Sequence, residues 1–104
     1  MSDSVMTIAT SGSKYWKNSK GEFHRTGGPA VEYLDGEKRW SVNGKFHRLD
    51  GPAVETPDGY KSWYVNDELL GKNDEGFWAL WDRLTPEQKQ DPVLLSHLPG
   101  DFNV

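Results

Sequence analysis

Apolar positions along this chain obey two different rules, and the change falls near Leu70. Upstream, from about Tyr15, short β-prone runs alternate with the turn pairs Asp35-Gly36, Asn43-Gly44 and Asp58-Gly59. Such pairs between β-prone runs are hairpin signals, because both residues of a two-residue hairpin loop need positive φ. A two-residue loop at Asp35-Gly36 sets Tyr33 opposite Lys38, Glu32 opposite Arg39 and Val31 opposite Trp40. The same loop at Asp58-Gly59 sets Val54 opposite Trp63 and Thr56 opposite Lys61. Val31, Trp40, Val54 and Trp63 then share one face, predicted to be the buried one. A two-residue loop at Asn43-Gly44 sets Trp40 opposite His47, but also Arg39 opposite Arg48, a like-charge pair. Leu49-Asp50-Gly51-Pro52 reads as a tight connection, with Pro at a strand start or an edge, where no ladder donor is needed.

Downstream of Leu70 the spacing becomes helical. Phe77, Leu80, Trp81 and Leu84 fall at i, i+3, i+4 and i+7, with Trp78 beside the stripe. Asn73 or Asp74 is predicted to cap this helix, which runs to about Leu84. Thr85-Pro86-Glu87 reads as an N-cap, a first-turn Pro and an acid for a short following turn. Pro92 opens a last helical piece carrying Val93, Leu94, Leu95 and Leu98, closed by Pro99-Gly100.

The upstream region repeats. Phe23-His24-Arg25 recurs as Phe46-His47-Arg48, and Gly28-Pro29-Ala30-Val31-Glu32 as Gly51-Pro52-Ala53-Val54-Glu55, each offset by 23 residues. Asp35-Gly36 and Trp40 recur as Asp58-Gly59 and Trp63 at the same offset. Trp16 extends the series at a spacing of 24, with the extra residue in Asn18-Ser19-Lys20-Gly21. Four matched elements at one offset signal a repeat architecture. The fold class expected is mainly β (β+α): an antiparallel meander of stacked ~23-residue β-hairpin repeats with a C-terminal helical cap. The organisation expected is a flexible N-terminus over 1–13, the repeat region over 14–70 and a helical segment over 71–104, all in one domain.

Composition narrows the chemistry. With 104 residues the core is thin, and five Trp, four Tyr and four Phe must supply much of the burial. The absence of Cys excludes disulfides, thiolate metal sites and a Cys nucleophile, and suits a reducing cytoplasm. A net charge of −4 disfavours nonspecific binding to nucleic acid or anionic lipid. Neither a secretory signal nor an apolar run of membrane-spanning length is present.

The string Gly44-Lys45-Phe46-His47-Arg48-Leu49-Asp50-Gly51-Pro52-Ala53-Val54-Glu55, followed by Asp58-Gly59 and Trp63-Tyr64-Val65-Asn66, resembles a known repeat. It is similar to the His-Arg-x-Asp-Gly-Pro-Ala repeats of tailed bacteriophages and large DNA viruses, and more distantly to variant MORN repeats. The resemblance covers roughly residues 14–70. It implies a β-sheet repeat scaffold, with a phage accessory protein as its bearer, and no reaction. In the first copy Thr26-Gly27 stand where the second has Leu49-Asp50, so any pairing of Asp50 with Arg48 has no counterpart there.

His24-Arg25 and His47-Arg48 are the residues most suited to acid–base or anion chemistry. Their recurrence with the period of the fold points instead to structural work: imidazole bonding a turn carbonyl or stacking on Trp, guanidinium pairing with a nearby acid. His24, His47 and His97 lack zinc spacing, and Asp50, Asp58, Asp67 and Asp74 form no calcium loop. No catalytic, metal or cofactor residue is therefore assigned. The function expected is non-catalytic protein binding, in phage terms the engagement or inhibition of a host protein, with anti-defence activity a subtype, in the host cytoplasm. The contact residues expected are Trp78 and Trp81 on the helix and Arg25, Arg48 and Glu32 as exposed repeat positions. The alternative is a self-assembling or virion-associated protein that pairs through an open sheet edge.

Overall fold

A computed structural model describes residues 4–99; residues 1–3 of the expected N-terminal lead-in and 100–104 of the expected helical segment lie outside the described part. Among the described residues nine short strands and two short α-helices follow in order: β1 (Val5–Ile8), β2 (Lys14–Lys17), β3 (Val31–Glu32), β4 (Lys38–Arg39), β5 (Ser41–Val42), β6 (Lys45–Phe46), β7 (Val54–Glu55), β8 (Lys61–Val65), β9 (Glu68–Lys72), α1 (Asn73–Trp81) and α2 (Pro92–Leu95). A 3-10 turn, Gln88–Gln90, lies between the helices. All pairings are antiparallel, and the main sheet runs β1-β2-β3-β4-β7-β8-β9, with β5-β6 as a separate two-stranded ladder. The fold is thus mainly β, a meander-like antiparallel sheet with a short C-terminal helix. Val5–Ile8, in the stretch expected to precede the sheet, forms its first edge strand.

The Asp-Gly turns hold three residues, not two, and this shifts both registers by one. Val31 lies opposite Arg39 and Glu32 opposite Lys38, while Val54 lies opposite Ser62 and Glu55 opposite Lys61. The loops are Leu34-Asp35-Gly36 and Pro57-Asp58-Gly59, closed by Tyr33 N–H to Glu37 O (2.9 Å) and Thr56 N–H to Tyr60 O (3.0 Å). Only the Gly adopts positive φ, +101° at Gly36 and +92° at Gly59. The Asp keeps an ordinary φ and braces the turn by its side chain: Asp35 Oδ1 accepts from Glu37 N–H at 2.9 Å, and Asp58 Oδ1 from the Thr56 hydroxyl. Of the four residues expected on the buried face, Val31 and Trp63 are buried, whereas Trp40 and Val54 are half-buried.

Asn43-Gly44 makes the two-residue loop expected of it, since both residues have positive φ (+50° and +81°). Ser41 pairs with Phe46 and Val42 with Lys45. Arg39 escapes the unfavourable pairing with Arg48 because the chain changes ladders at Trp40. The Trp40 N–H donates to Ala53 O (2.7 Å) while its carbonyl accepts from His47 N–H (3.1 Å). Upstream, the longer loop Ser19-Lys20-Gly21 absorbs the extra residue of the first copy: Asn18 N–H bonds Glu22 O (2.9 Å), and His24 N–H still reaches Trp16 O (3.0 Å).

α1 starts directly after β9, with Lys72 at the N-cap position and no side-chain cap. The Asn73 cap expected from sequence is not made. Asn73 sits at φ +54°, and its Oδ1 accepts from Lys61 N–H (3.1 Å), tying the helix start to β8. α1 ends at Trp81, short of the expected Leu84, and a turn closed by Leu84 N–H to Trp81 O (3.1 Å) carries Leu84 onto the same buried side. Phe77, Leu80 and Leu84 join Trp63 and Leu94 in the buried cluster, flanked by Val65, Leu70, Trp78, Trp81 and Leu98. Thr85 and Gln88 cap each other reciprocally, Gln88 N–H to Thr85 Oγ1 and Thr85 N–H to Gln88 Oε1 (2.8 Å). Asp91 caps α2 through Val93 N–H (2.8 Å).

Candidate binding groove

The groove is built on two arginine arches. Arg25 lies over the Trp16 ring, its Cζ 3.9 Å from the centroid, and donates from Nη1 to Pro29 O (3.1 Å). Arg48 lies 3.8 Å over Trp40 and donates from Nη1 to Pro52 O (3.0 Å). Each guanidinium is therefore held between an indole face and the Gly-Pro backbone. Glycine on that upper side leaves room for the stacked guanidinium, which a Cβ would displace: it would stand 2.8 Å from Arg25 Cζ at Gly28 and 2.5 Å from Arg48 Cζ at Gly51. Stacking on Trp and bonding a carbonyl explain why Trp, Arg, Gly and Pro recur together in this sequence.

The third member of the series differs. One further offset of 23 beyond Arg48 is Gly71, not Arg. There the helix backbone takes the place of the guanidinium, with Gly76 pressed onto the Trp63 ring. Trp16 and Trp40 are thus covered by arginines of the chain that follows them, and Trp63 by α1.

Acid partners distinguish the two arches. Arg48 pairs with Glu55 through Nη1 (3.0 Å) and with Asp50 through Nε (2.7 Å). Among the described residues Arg25 pairs with one acid, Glu32, at 3.5 Å, and Thr26-Gly27 supply no equivalent of Asp50. The Arg48 side chain is 9% exposed and that of Arg25 30%. Arg48 is therefore not the exposed position expected from sequence: its stack and three bonds enclose it. Arg25 and Glu32 are half-buried.

The histidines brace turns. His24 Nδ1 accepts from Asn43 N–H (2.9 Å) and His47 Nδ1 from Asn66 N–H (3.2 Å), so each ties its own segment to the next hairpin turn. The bond runs to a turn N–H, not a turn carbonyl, and as an acceptor Nδ1 carries no proton. His97 stacks edge-on to Trp63 at 5.8 Å. Burial, followed by the positive charges of Arg48 and Lys61, holds its pKa below the ordinary histidine value, against the smaller pull of Glu55 and Asp50.

An open groove of about 680 Å³ runs between these arches and the C-terminal segment. Arg25 to Pro29 form one wall, and Trp40, His47, Arg48, Leu49 and Asp50 the floor and second wall. Gln88, Asp91 and Val93 close the third side. Leu49 and Val93 are exposed apolar side chains facing this space. The groove brings Arg25 and Arg48 together but not the other expected contact residues. Glu32 reaches it only through Arg25. Trp78 and Trp81 pack around Phe77, at centroid distances of 4.8 and 5.7 Å, and Lys89 lies 5.2 Å over Trp81. Both Trp are half-buried and neither lines the groove. Sequence reasoning missed Leu49, Asp91 and Val93: Leu49 is far along the chain from the other two and meets them only through the packing of α2.

Among the described residues no cluster of His, Asp or Glu has the grouping of a metal site, and no helix is long and apolar enough to cross a membrane. No protein-family model, curated protein or solved structure matches this chain.

Proposed function

We propose that this chain is a non-catalytic protein-binding module, its sheet read as stacked hairpin repeats of about 23 residues and its groove as the contact surface. The observation that carries this reading is the groove itself. It is open, it is walled by two arches and the C-terminal segment, and it presents Leu49 and Val93 to solvent. Apolar side chains converging on a concave surface with a few placed polar groups are the usual make-up of a binding site. The groups best suited to chemistry have structural employment instead: His24 and His47 brace turns, and Arg48 is enclosed. By the sequence resemblance, the concrete version is a phage accessory protein acting on a host protein in the bacterial cytoplasm, with inhibition of a defence system as one form.

The test is an affinity capture of the tagged protein from bacterial lysate, read by mass spectrometry. Leu49→Glu and Val93→Glu, both at exposed positions and each checked for folding, serve as controls. A stoichiometric partner lost in both folded variants supports the reading. A partner retained by both removes the groove from it, and capture of nothing above background removes the reading altogether.

A second reading, self-assembly, is favoured by the free edge strand. Val5, Met6 and Ile8 of β1 are 72%, 44% and 59% exposed, on a strand with a sheet neighbour on one side only. Unprotected edges of this kind pair with further strands. Light scattering across a concentration series checks it: a mass that stays monomeric counts against it, and a dimer dispersed by Val5→Lys/Ile8→Lys supports it.

A further inference from the structure

We propose that Arg25 is a receptor for a carboxylate of the bound partner, an Asp or Glu side chain set between apolar neighbours. This rests on the groove being the binding surface and specifies what it recognises. The molecule contains its own control. In the second arch Asp50 Oδ1 accepts from Arg48 Nε at 2.7 Å, which shows the group that completes a guanidinium held in this way. The first arch has the same stack on Trp, the same bond to the Pro carbonyl and the same Glu on Nη1. It differs in the acid on Nε. Gly27 stands at the Asp50 position, and among the described residues no carboxylate bonds Arg25 Nε.

The missing group's place is open. A Cβ at Gly27 would meet nothing within 4 Å, although its φ of +86° strains any L side chain there, and Arg25, Thr26 and Gly27 all line the groove. A partner carboxylate entering there gains a charge-assisted bond to a guanidinium whose orientation is already set by its stack, so little ordering entropy opposes it. The surroundings select a single carboxylate over a more highly charged group. Asp50 and Asp91 also line the groove and Glu32 lies on Nη1, so a phosphate dianion would face three acids. Leu49, Val42 and Val93 on the other walls accept apolar residues beside the acid.

The arginine Nε–H resonances report this directly. The probes are the blocked tripeptides acetyl-Leu-Asp-Leu-amide and acetyl-Leu-Asn-Leu-amide, added to 15N-labelled protein, with the Arg25 signal assigned by its disappearance in Arg25→Lys. The Asp peptide should shift the Arg25 Nε–H signal saturably and leave that of Arg48 in place. The Asn peptide should bind roughly tenfold or more weaker, as expected for loss of a charge-assisted bond. The double variant Thr26→Leu/Gly27→Asp brings the second arch's residues into the first, its Asp placed at a φ of +86° that Asp adopts at some cost in stability, and the Arg25 Nε–H shift it shows without peptide reports whether that carboxylate reaches the guanidinium. This variant should abolish the shift and bring the Arg25 signal close to that of Arg48. The reverse copy, Leu49→Thr/Asp50→Gly, should create a second saturable shift at Arg48. An unmoved Arg25 signal, equal response to the Asn peptide, or an unchanged response in a folded Thr26→Leu/Gly27→Asp protein overturns the proposal. A lysate partner that this variant still captures sinks the carboxylate receptor and leaves the binding module standing. Capture of no partner sinks the module, while the peptide titration decides the receptor by itself.

Discussion

Gly76→Ala should destabilise the protein, although at an ordinary helix position the same change stabilises by about 0.8–1.0 kcal/mol. Gly76 is buried inside α1, where the helix crosses β8 and β9. A Cβ there would stand 2.6 Å from Gly71 O and closer still to Cδ1 and Cγ of the Trp63 indole. Carbon contacts settle near 3.5–4.0 Å, so something must move by about 1 Å or more. Neither neighbour gives way easily. Gly71 is strand backbone, and Trp63 is 2% exposed and packed edge-on against Phe77 at 5.7 Å. Overpacking of this kind costs about 1–3 kcal/mol and occasionally more, which exceeds the propensity gain. A net loss of about 2 kcal/mol corresponds to a fall in Tm of roughly 8–16 °C for a domain of this size. Urea and thermal unfolding followed by circular dichroism measure it, with Glu75→Ala on the exposed side of the same helix as the reference. A Gly76→Ala protein as stable as wild type, or more so, would refute the close approach of α1 to Trp63.

The turn-bracing histidines should differ in weight. His24→Leu leaves the Asn43 N–H without its acceptor beside a buried side chain and should cost about 1–3 kcal/mol, whereas His47→Leu, at a more exposed bond, should cost less; chemical denaturation ranks them. Asp50→Ala removes the Nε bond of Arg48, but Asp50 is 40% exposed, so solvent screening should hold the loss to about 1 kcal/mol, shrinking in high salt. His97 has a folded pKa below its ordinary 6.5, so the unfolded chain takes up its proton first as pH falls. Its contribution is therefore neutral above about pH 7, and stability declines as pH drops below 6.5 until the folded-state pKa is reached. His97→Asn should flatten that decline in urea titrations at pH 7 and pH 5, and an unchanged slope would exclude His97 as its source.

Much of this protein could be read from residue order. The hairpin positions, the buried helical residues Phe77 and Leu80, and the pairing of Arg48 with Asp50 all follow from short-range spacing. Local rules suffice there because turn chemistry and side-chain periodicity act over a few residues. The Asp-Gly registers failed for an equally local reason. Asp35 and Asp58 brace their turns through side-chain oxygens and avoid positive φ, which lengthens each loop by one residue.

The sequence by itself determined the period, the mainly β class, and the recurrence of Trp, His-Arg and Gly-Pro. Only the tertiary structure decided what else those recurring residues do: that each arginine lies over a Trp ring, which turn each histidine holds, and that α1 replaces a third arginine over Trp63. It also decided that Leu49 and Val93 face one groove while Trp78 and Trp81 pack around Phe77. The physical reason is separation along the chain. The histidine bonds, the seat of α1 on Trp63 and the meeting of Leu49 with Val93 join separate segments, and their geometry depends on how sheet and helix close on one another, which no local spacing encodes.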